Sequence, residues 1–184
     1  IAEQNLIAVA AGLASEGYKG ITTTFAPFQT MRCCEQIKVN LGYMGNNVCM
    51  VGLASGVVLG NLGYTHCCIE DLSIMRSIPG TTVISPADCG ATAKAIISSM
   101  EVMGPKYIRL TGGQKNPIVY GEDFDFEIGK GIKLKDGEDI CIIATGSMVY
   151  ESLVAADTIE KEVGATVTVC DFHTIKPIDI DLIR

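Results

Sequence analysis

Four residues near the start of the chain have the types and spacing to do chemistry together. Glu3 stands in Ile1-Ala2-Glu3-Gln4-Asn5, at the head of a long apolar pattern. Phe25 and Phe28 lie three apart in Thr24-Phe25-Ala26-Pro27-Phe28, and His66 follows a Gly-rich stretch. A carboxylate at an apolar helix start loses hydration, which would raise its pKa and favour sharing a proton. Beside aromatic rings, such a group can hold a flat, nitrogen-rich ring of the kind that serves carbanion chemistry. A His at a helix N-terminus stays neutral more readily and can donate to a substrate oxygen. Each residue also has a plainer reading: a glutamate steadied by the helix dipole, two core aromatics, a locally bonded His. Position favours function for the aromatics, because α/β sheets bind ligands at the carboxyl ends of their strands. His173, in Asp171-Phe172-His173-Thr174, reads as structural.

The elements that must position these residues alternate. Residues 2–17 predict a helix, with Leu6, Ile7, Val9, Ala10 and Leu13 giving a wide apolar face. Gly17 ends it. The β-branched run 20–24 predicts a strand, and 27–41 a helix with Pro27 in its first turn. The continuously apolar run 48–53 suits a parallel-sheet strand. A loop over 54–64 precedes a helix from His66 to Ile78. A strand at 82–85, a helix at 87–103 and a strand at 106–110 follow. Residues 112–138 turn to Gly, Pro, Asp and Lys, with Ile128-Gly129-Lys130-Gly131 suggesting a hairpin arm. A second unit then runs strand 140–144, helix 148–163, strand 166–170. This alternation predicts an α/β parallel sheet with helices on both faces, followed by the start of a second α/β domain.

Composition narrows the partners. Of 184 residues, 48% are hydrophobic and 19% charged, enough to bury a core. The net charge is −7 and no basic cluster exists, which argues against nucleic acid. There is no signal peptide and no run of 18 or more apolar residues, so no membrane partner is expected. Of eight cysteines, Cys49, Cys141 and Cys170 fall in apolar strand-like runs. That is the pattern of reduced core thiols in a cytoplasmic protein. His66-Cys67-Cys68 lacks a second ligand pair at zinc spacing. Gly60-Asn61-Leu62-Gly63 lacks the Lys and Ser/Thr of a phosphate cradle. Ile1 is not an initiator and 179–184 reads as a helix just starting, so an internal fragment of a longer protein is expected.

The chain resembles the C-terminal half of transketolase, in the form divided into two polypeptides. The runs that carry the resemblance include Ile1-Ala2-Glu3-Gln4-Asn5, Thr24-Phe25-Ala26-Pro27-Phe28, Met31-Arg32, Gly63-Tyr64-Thr65-His66 and Ile69-Glu70-Asp71. Met75-Arg76-Ser77-Ile78-Pro79, Ser85-Pro86-Ala87-Asp88, Ala144-Thr145-Gly146-Ser147 and Thr174-Ile175-Lys176-Pro177 continue it in order. The resemblance implies a pyrimidine-binding domain over 1–120, a linker or hairpin over 121–136 and a partial C-terminal domain over 137–184. It implies thiamine diphosphate as cofactor, with magnesium and diphosphate held by the N-terminal half or a partner chain. Glu3 would meet the aminopyrimidine ring and help activate it, Phe25 and Phe28 would line that ring, and His66 would face the donor's hydroxyls. The reaction would carry a two-carbon ketol unit from a ketose to an aldehyde. The site would lie between subunits, and the small-residue face of helix 2–17 fits packing against a second copy.

Three positions depart from the family pattern: Ala54 in place of His, Leu62 in place of Asp, and Gly112 or Gly113 in place of Arg. Each lost charge-assisted contact is typically worth about 1.5–3 kcal/mol, which puts a sugar-phosphate substrate in question. Arg109 and Lys115 remain as anion partners. Rival readings are a deoxyxylulose-phosphate synthase, a 2-oxo acid dehydrogenase beta subunit, and a non-catalytic scaffold or regulatory subunit.

Overall fold

The fold is described from a computed structural model covering residues 1–112 and 116–184. Its elements in chain order begin with α1 (Glu3–Ser15), β1 (Gly20–Phe25), α2 (Ala26–Gln29) and α3 (Cys34–Gln36). A π-helical turn (Ile37–Tyr43) leads to β2 (Val48–Leu53), a 3-10 segment (Gly60–Thr65) and α4 (Asp71–Ser77). Then come β3 (Thr82–Ile84), α5 (Cys89–Ser99), β4 (Lys106–Arg109), β5 (Ile132–Lys135) and β6 (Ile140–Ala144). The chain continues through α6 (Met148–Val163), β7 (Val167–Asp171), β8 (Thr174–Lys176) and α7 (Ile180–Ile183).

The first sheet has the order β1-β2-β4-β3-β8, parallel except for β8, which runs antiparallel to β3. Alternation along the strands sorts two core layers. Val48, Met50, Val83 and Tyr107 meet Ile7, Ile37, Leu41 and Met75 on one face. Cys49, Val51, Ile84 and Ile108 meet Ala95 and Ile96 of α5 on the other. The β2-to-β3 connection skips over β4, and the chain then returns to it. The carboxyl end of β4 thus sits where the winding direction reverses, the usual ligand crevice of an open α/β sheet.

The second sheet has the order β5-β7-β6 and packs Val167, Val169 and Ile142 on α6. Ile128–Gly131 forms no local hairpin. The strand that follows it, β5, instead pairs with β7, more than thirty residues on. Cys49 and Cys170 are buried as expected, but Cys141 is exposed, because its side of β6 carries no covering element among the described residues.

Two expected helices differ. The 27–41 helix is broken at 30–33, where the Thr30 hydroxyl turns back to the Ala26 carbonyl (2.7 Å) and Cys33 Sγ bonds the Phe28 carbonyl (3.2 Å). The π-turn then brings Gly42 so close to Ile78 that an added Cβ would stand 2.6 Å from its Cγ2. The 66–78 helix begins only at Asp71. Gly63 reverses the backbone (φ 72°), and Gly56 and Cys68 exchange backbone hydrogen bonds of 2.6 and 2.8 Å, holding 66–70 as a loop.

The units meet through a buried polar junction. Asp88 caps α5 through Ala91 N–H (2.8 Å) and accepts from Val119 and Tyr120 N–H (2.9 and 3.0 Å). Tyr120 donates to Asp171 (2.7 Å), and His173 stacks on Phe126 at 4.0 Å. Burial pushes Asp171 up to about 7, against the opposing Tyr120 hydrogen bond and with help from Asp88. Burial holds His173 down to about 4. Asp171 therefore contributes stability that is fully present below its unfolded value of 3.8 and is lost as pH rises through 7. His173 contributes stability present above 6.5 and lost as pH falls through 4. The two slopes oppose each other. In Asp171→Asn, Tm should climb from pH 4 to 6.5; in His173→Phe it should fall from pH 4 to 7. Thermal scans across this range test the pair, and slopes of the same sign in both variants would refute it.

Candidate functional site at the strand ends

The carboxyl edge of the first sheet gathers most of the residues singled out from sequence. Phe25 ends β1, Phe28 lies in α2, and His66 sits in the loop after the 3-10 segment. Their rings meet edge-to-face, with centroids 5.4 Å apart for Phe28–His66, 5.9 Å for Phe25–His66 and 6.0 Å for Phe25–Phe28. Such contacts add about 0.5–1.5 kcal/mol per pair beyond area burial. Phe25 is 37% exposed, so the cluster is an open wall and not sealed core. His66 Nδ1 faces Thr65 Oγ1 at 2.9 Å, which orients the ring.

Glu3 joins the wall through Arg32. Arg32 Nη1 donates to Glu3 Oε2 at 2.7 Å, and its guanidinium lies 4.0 Å over the Phe28 ring. The Glu3 side chain is only 11% exposed, yet its pKa moves down, opposite to the expectation from burial. Arg32 holds its carboxyl below the usual carboxylate range, because a cation at 2.7 Å outweighs partial desolvation. Glu3 is thus an ionised acceptor near neutral pH. Arg32 was visible in sequence only as part of a motif. A cation 29 residues downstream gives no local signal that it will pair with Glu3.

Arg109 stands apart from this wall, at the end of β4. Its Nε donates to Asp71 Oδ2 at 2.9 Å, and the same oxygen accepts from Tyr107 OH at 2.8 Å. Asp71 is fully buried at the start of α4. Arg109 also lines a cleft of about 370 Å³ together with Ser55, Gly56, Thr111, Gly112 and Ser147. Ala54, one of the departures, adopts φ 53° at the cleft's edge, next to Gly112 (φ 77°). Leu62 is 49% exposed. Gly113 and Lys115 lie outside the described residues. No helix is long and apolar enough to cross a membrane among the described residues.

Comparison with known proteins places this geometry in context. The transketolase pyrimidine-binding domain model matches residues 1–115, and the transketolase C-terminal domain model matches 129–184. The chain is 38% identical, over its full length, to 59% of one of the subunits of an apulose-4-phosphate transketolase from Phocaeicola vulgatus. It is 41% identical, over 97% of its length, to 55% of a 6-deoxy-6-sulfo-D-fructose transketolase subunit of a Clostridium species. It thus spans little more than half of these relatives. A solved split-gene transketolase, described as an inactive beta4 tetramer, superposes with a TM-score of 0.90 at 39% identity, covering 99% of this chain and 58% of that one.

Proposed function

The chain belongs to the transketolase family, and from that premise we propose that it supplies the activating side of a two-carbon ketol transfer between a ketose and an aldehyde. The observation that supports this reading best is the ionised Glu3 beside an open aromatic wall. An acceptor carboxylate and exposed ring edges suit an aminopyrimidine. Thiamine diphosphate, when bound, supplies the carbon nucleophile for this chemistry, and the protein orients it and tunes its protonation. Glu3 would accept a hydrogen bond from the ring's N–H, Phe25 and Phe28 would pack on the ring, and His66 would present its free ring nitrogen to a donor hydroxyl. Arg109 would bind at the substrate's far end.

The diphosphate and magnesium would be held by an N-terminal subunit, as the divided relatives suggest. The division of the chain into 1–120, 121–136 and 137–184 is part of the same proposal. Exposed Leu6, Val9 and Leu13 on α1, opposite its buried Ile7, Ala10 and Ala11, offer an apolar stripe for a second copy.

Titration of the isolated chain with thiamine diphosphate and magnesium should show weak binding. Addition of the N-terminal subunit should tighten it at least about 100-fold, since the charged half of the ligand then finds its partners. Calorimetry reads both; equal affinity with and without that subunit would place the whole cofactor site on this chain. Product analysis of the complex separates ketol transfer from decarboxylative condensation and from acyl transfer. A complex that forms and binds the cofactor but turns nothing over would favour the scaffold reading.

A further inference from the structure

The break at 30–33 brings Arg32 back to α1. Its N–H donates to the Pro27 carbonyl (3.2 Å), and its own carbonyl accepts from Gln4 Nε2 of α1 (3.2 Å). With the backbone held from both sides, the side chain makes two contacts at once. Nη1 donates to Glu3 Oε2 at 2.7 Å, and the guanidinium carbon lies 4.0 Å over the Phe28 ring. On the next residue, Cys33 Sγ donates to the Phe28 carbonyl (3.2 Å), so Phe28 is held at ring and backbone alike.

Making both contacts together calls for a guanidinium. It donates within its own plane and leaves a flat face to lie on a ring, whereas an ammonium is a compact, strongly hydrated point donor. Ion pairs between exposed side chains contribute little. This pair differs, because the Glu3 side chain is only 11% exposed, and a partly desolvated carboxylate depends more on a neighbouring cation. Phe28 in turn meets Phe25 and His66 edge-to-face. The acceptor on α1 and the aromatic wall at the strand ends are therefore joined through one side chain.

We propose that Arg32 is a positioning residue: its N–H holds the Glu3 carboxylate in place while its face steadies the Phe28 ring, so that acceptor and wall keep a fixed separation for a flat, nitrogen-rich ring. The inference rests on the reading of Glu3 and Phe28 as the groups that face that ring.

The test uses the chain assembled with its N-terminal subunit, and two variants, Arg32→Met and Arg32→Lys. Carbon-13 NMR of glutamate-labelled chain follows the titration of Glu3, with Glu3→Gln assigning the signal. In Arg32→Met the titration should move to higher pH, because burial then favours the neutral carboxyl with no guanidinium to oppose it. With thiamine diphosphate and magnesium added, kcat of that variant should fall about tenfold, the scale of one charge-assisted contact. Arg32→Lys keeps the cation, so Glu3 should titrate as in the parent. Calorimetry should nevertheless show thiamine diphosphate bound about 2–5-fold more weakly, the scale of one cation–ring contact. A parent-like Glu3 titration in Arg32→Met, or parent-like cofactor affinity in Arg32→Lys, overturns the proposal; a merely structural role would lower Tm and leave both readouts in place. If Arg32→Met fails to fold, the affinity of Arg32→Lys decides alone. Both readouts as expected in a complex that turns nothing over would count against the ketol-transfer reading and not against this one.

Discussion

Glu3→Gln, in the complex with the N-terminal subunit, should lower kcat by about 10²–10⁴-fold, the range for losing a positioned acid–base group. Gln has nearly the same shape and still offers a carbonyl oxygen, so the ring it faces keeps a hydrogen bond. What disappears is the negative charge that Arg32 holds in place below the usual carboxylate range. Cofactor affinity should change much less than turnover, and that split separates a chemical role from a folding defect. Arg32 keeps its stacking contact on Phe28 in the variant, so the aromatic wall should persist. Turnover equal to the parent's would remove Glu3 from the mechanism.

Gly52→Ala should unfold a substantial part of the population on heating. Gly52 lies in the buried β2 strand, paired with Thr24 and Arg109. A Cβ there would stand 2.8 Å from Cε2 and 2.9 Å from Cζ of Tyr107, whose ring is fully buried. Neither strand can give way, because both are fixed by parallel pairing on each side. Overpacking of this kind typically costs about 1–3 kcal/mol, which for a chain of this size lowers Tm by roughly 2–12 °C. The displaced ring would also pull its hydroxyl from Asp71 and loosen Arg109. Differential scanning calorimetry gives the first effect, and an unchanged Tm would show that the strand spacing is more adaptable than these contacts imply.

Local pattern and tertiary contact contributed different parts of this molecule. Strands β1, β2, β3, β4, β6 and β7 follow from runs of β-branched and apolar residues, and α1 and α6 from helical periodicity closed by Gly17 and Gly164. Such signals are carried within about a dozen residues, so they are legible in sequence. The three aromatic groups of the wall could be named for the same reason: each falls at a recognisable strand end or loop. The start of α4 was not legible, because the Gly56–Cys68 pairing that holds 66–70 out of the helix joins residues twelve apart through a loop. Nor was the destination of β8, which crosses from the second unit to complete the first sheet beside β3.

Electrostatics were the least readable layer. Apolar neighbours along the chain suggested a raised pKa for Glu3, whereas Arg32, brought in by the fold of α2 and α3, lowers it. Asp71 fell inside the helix expected over 66–78, with nothing local to mark it, yet it is a buried counter-ion for Arg109, 38 residues away. Sequence alone determined the α/β class, the order of most elements and the identity of Glu3, Phe25, Phe28 and His66 as the residues to watch. Only the tertiary structure decided which charges meet, because Coulomb and desolvation energies depend on distance and burial, and the chain's folding sets both.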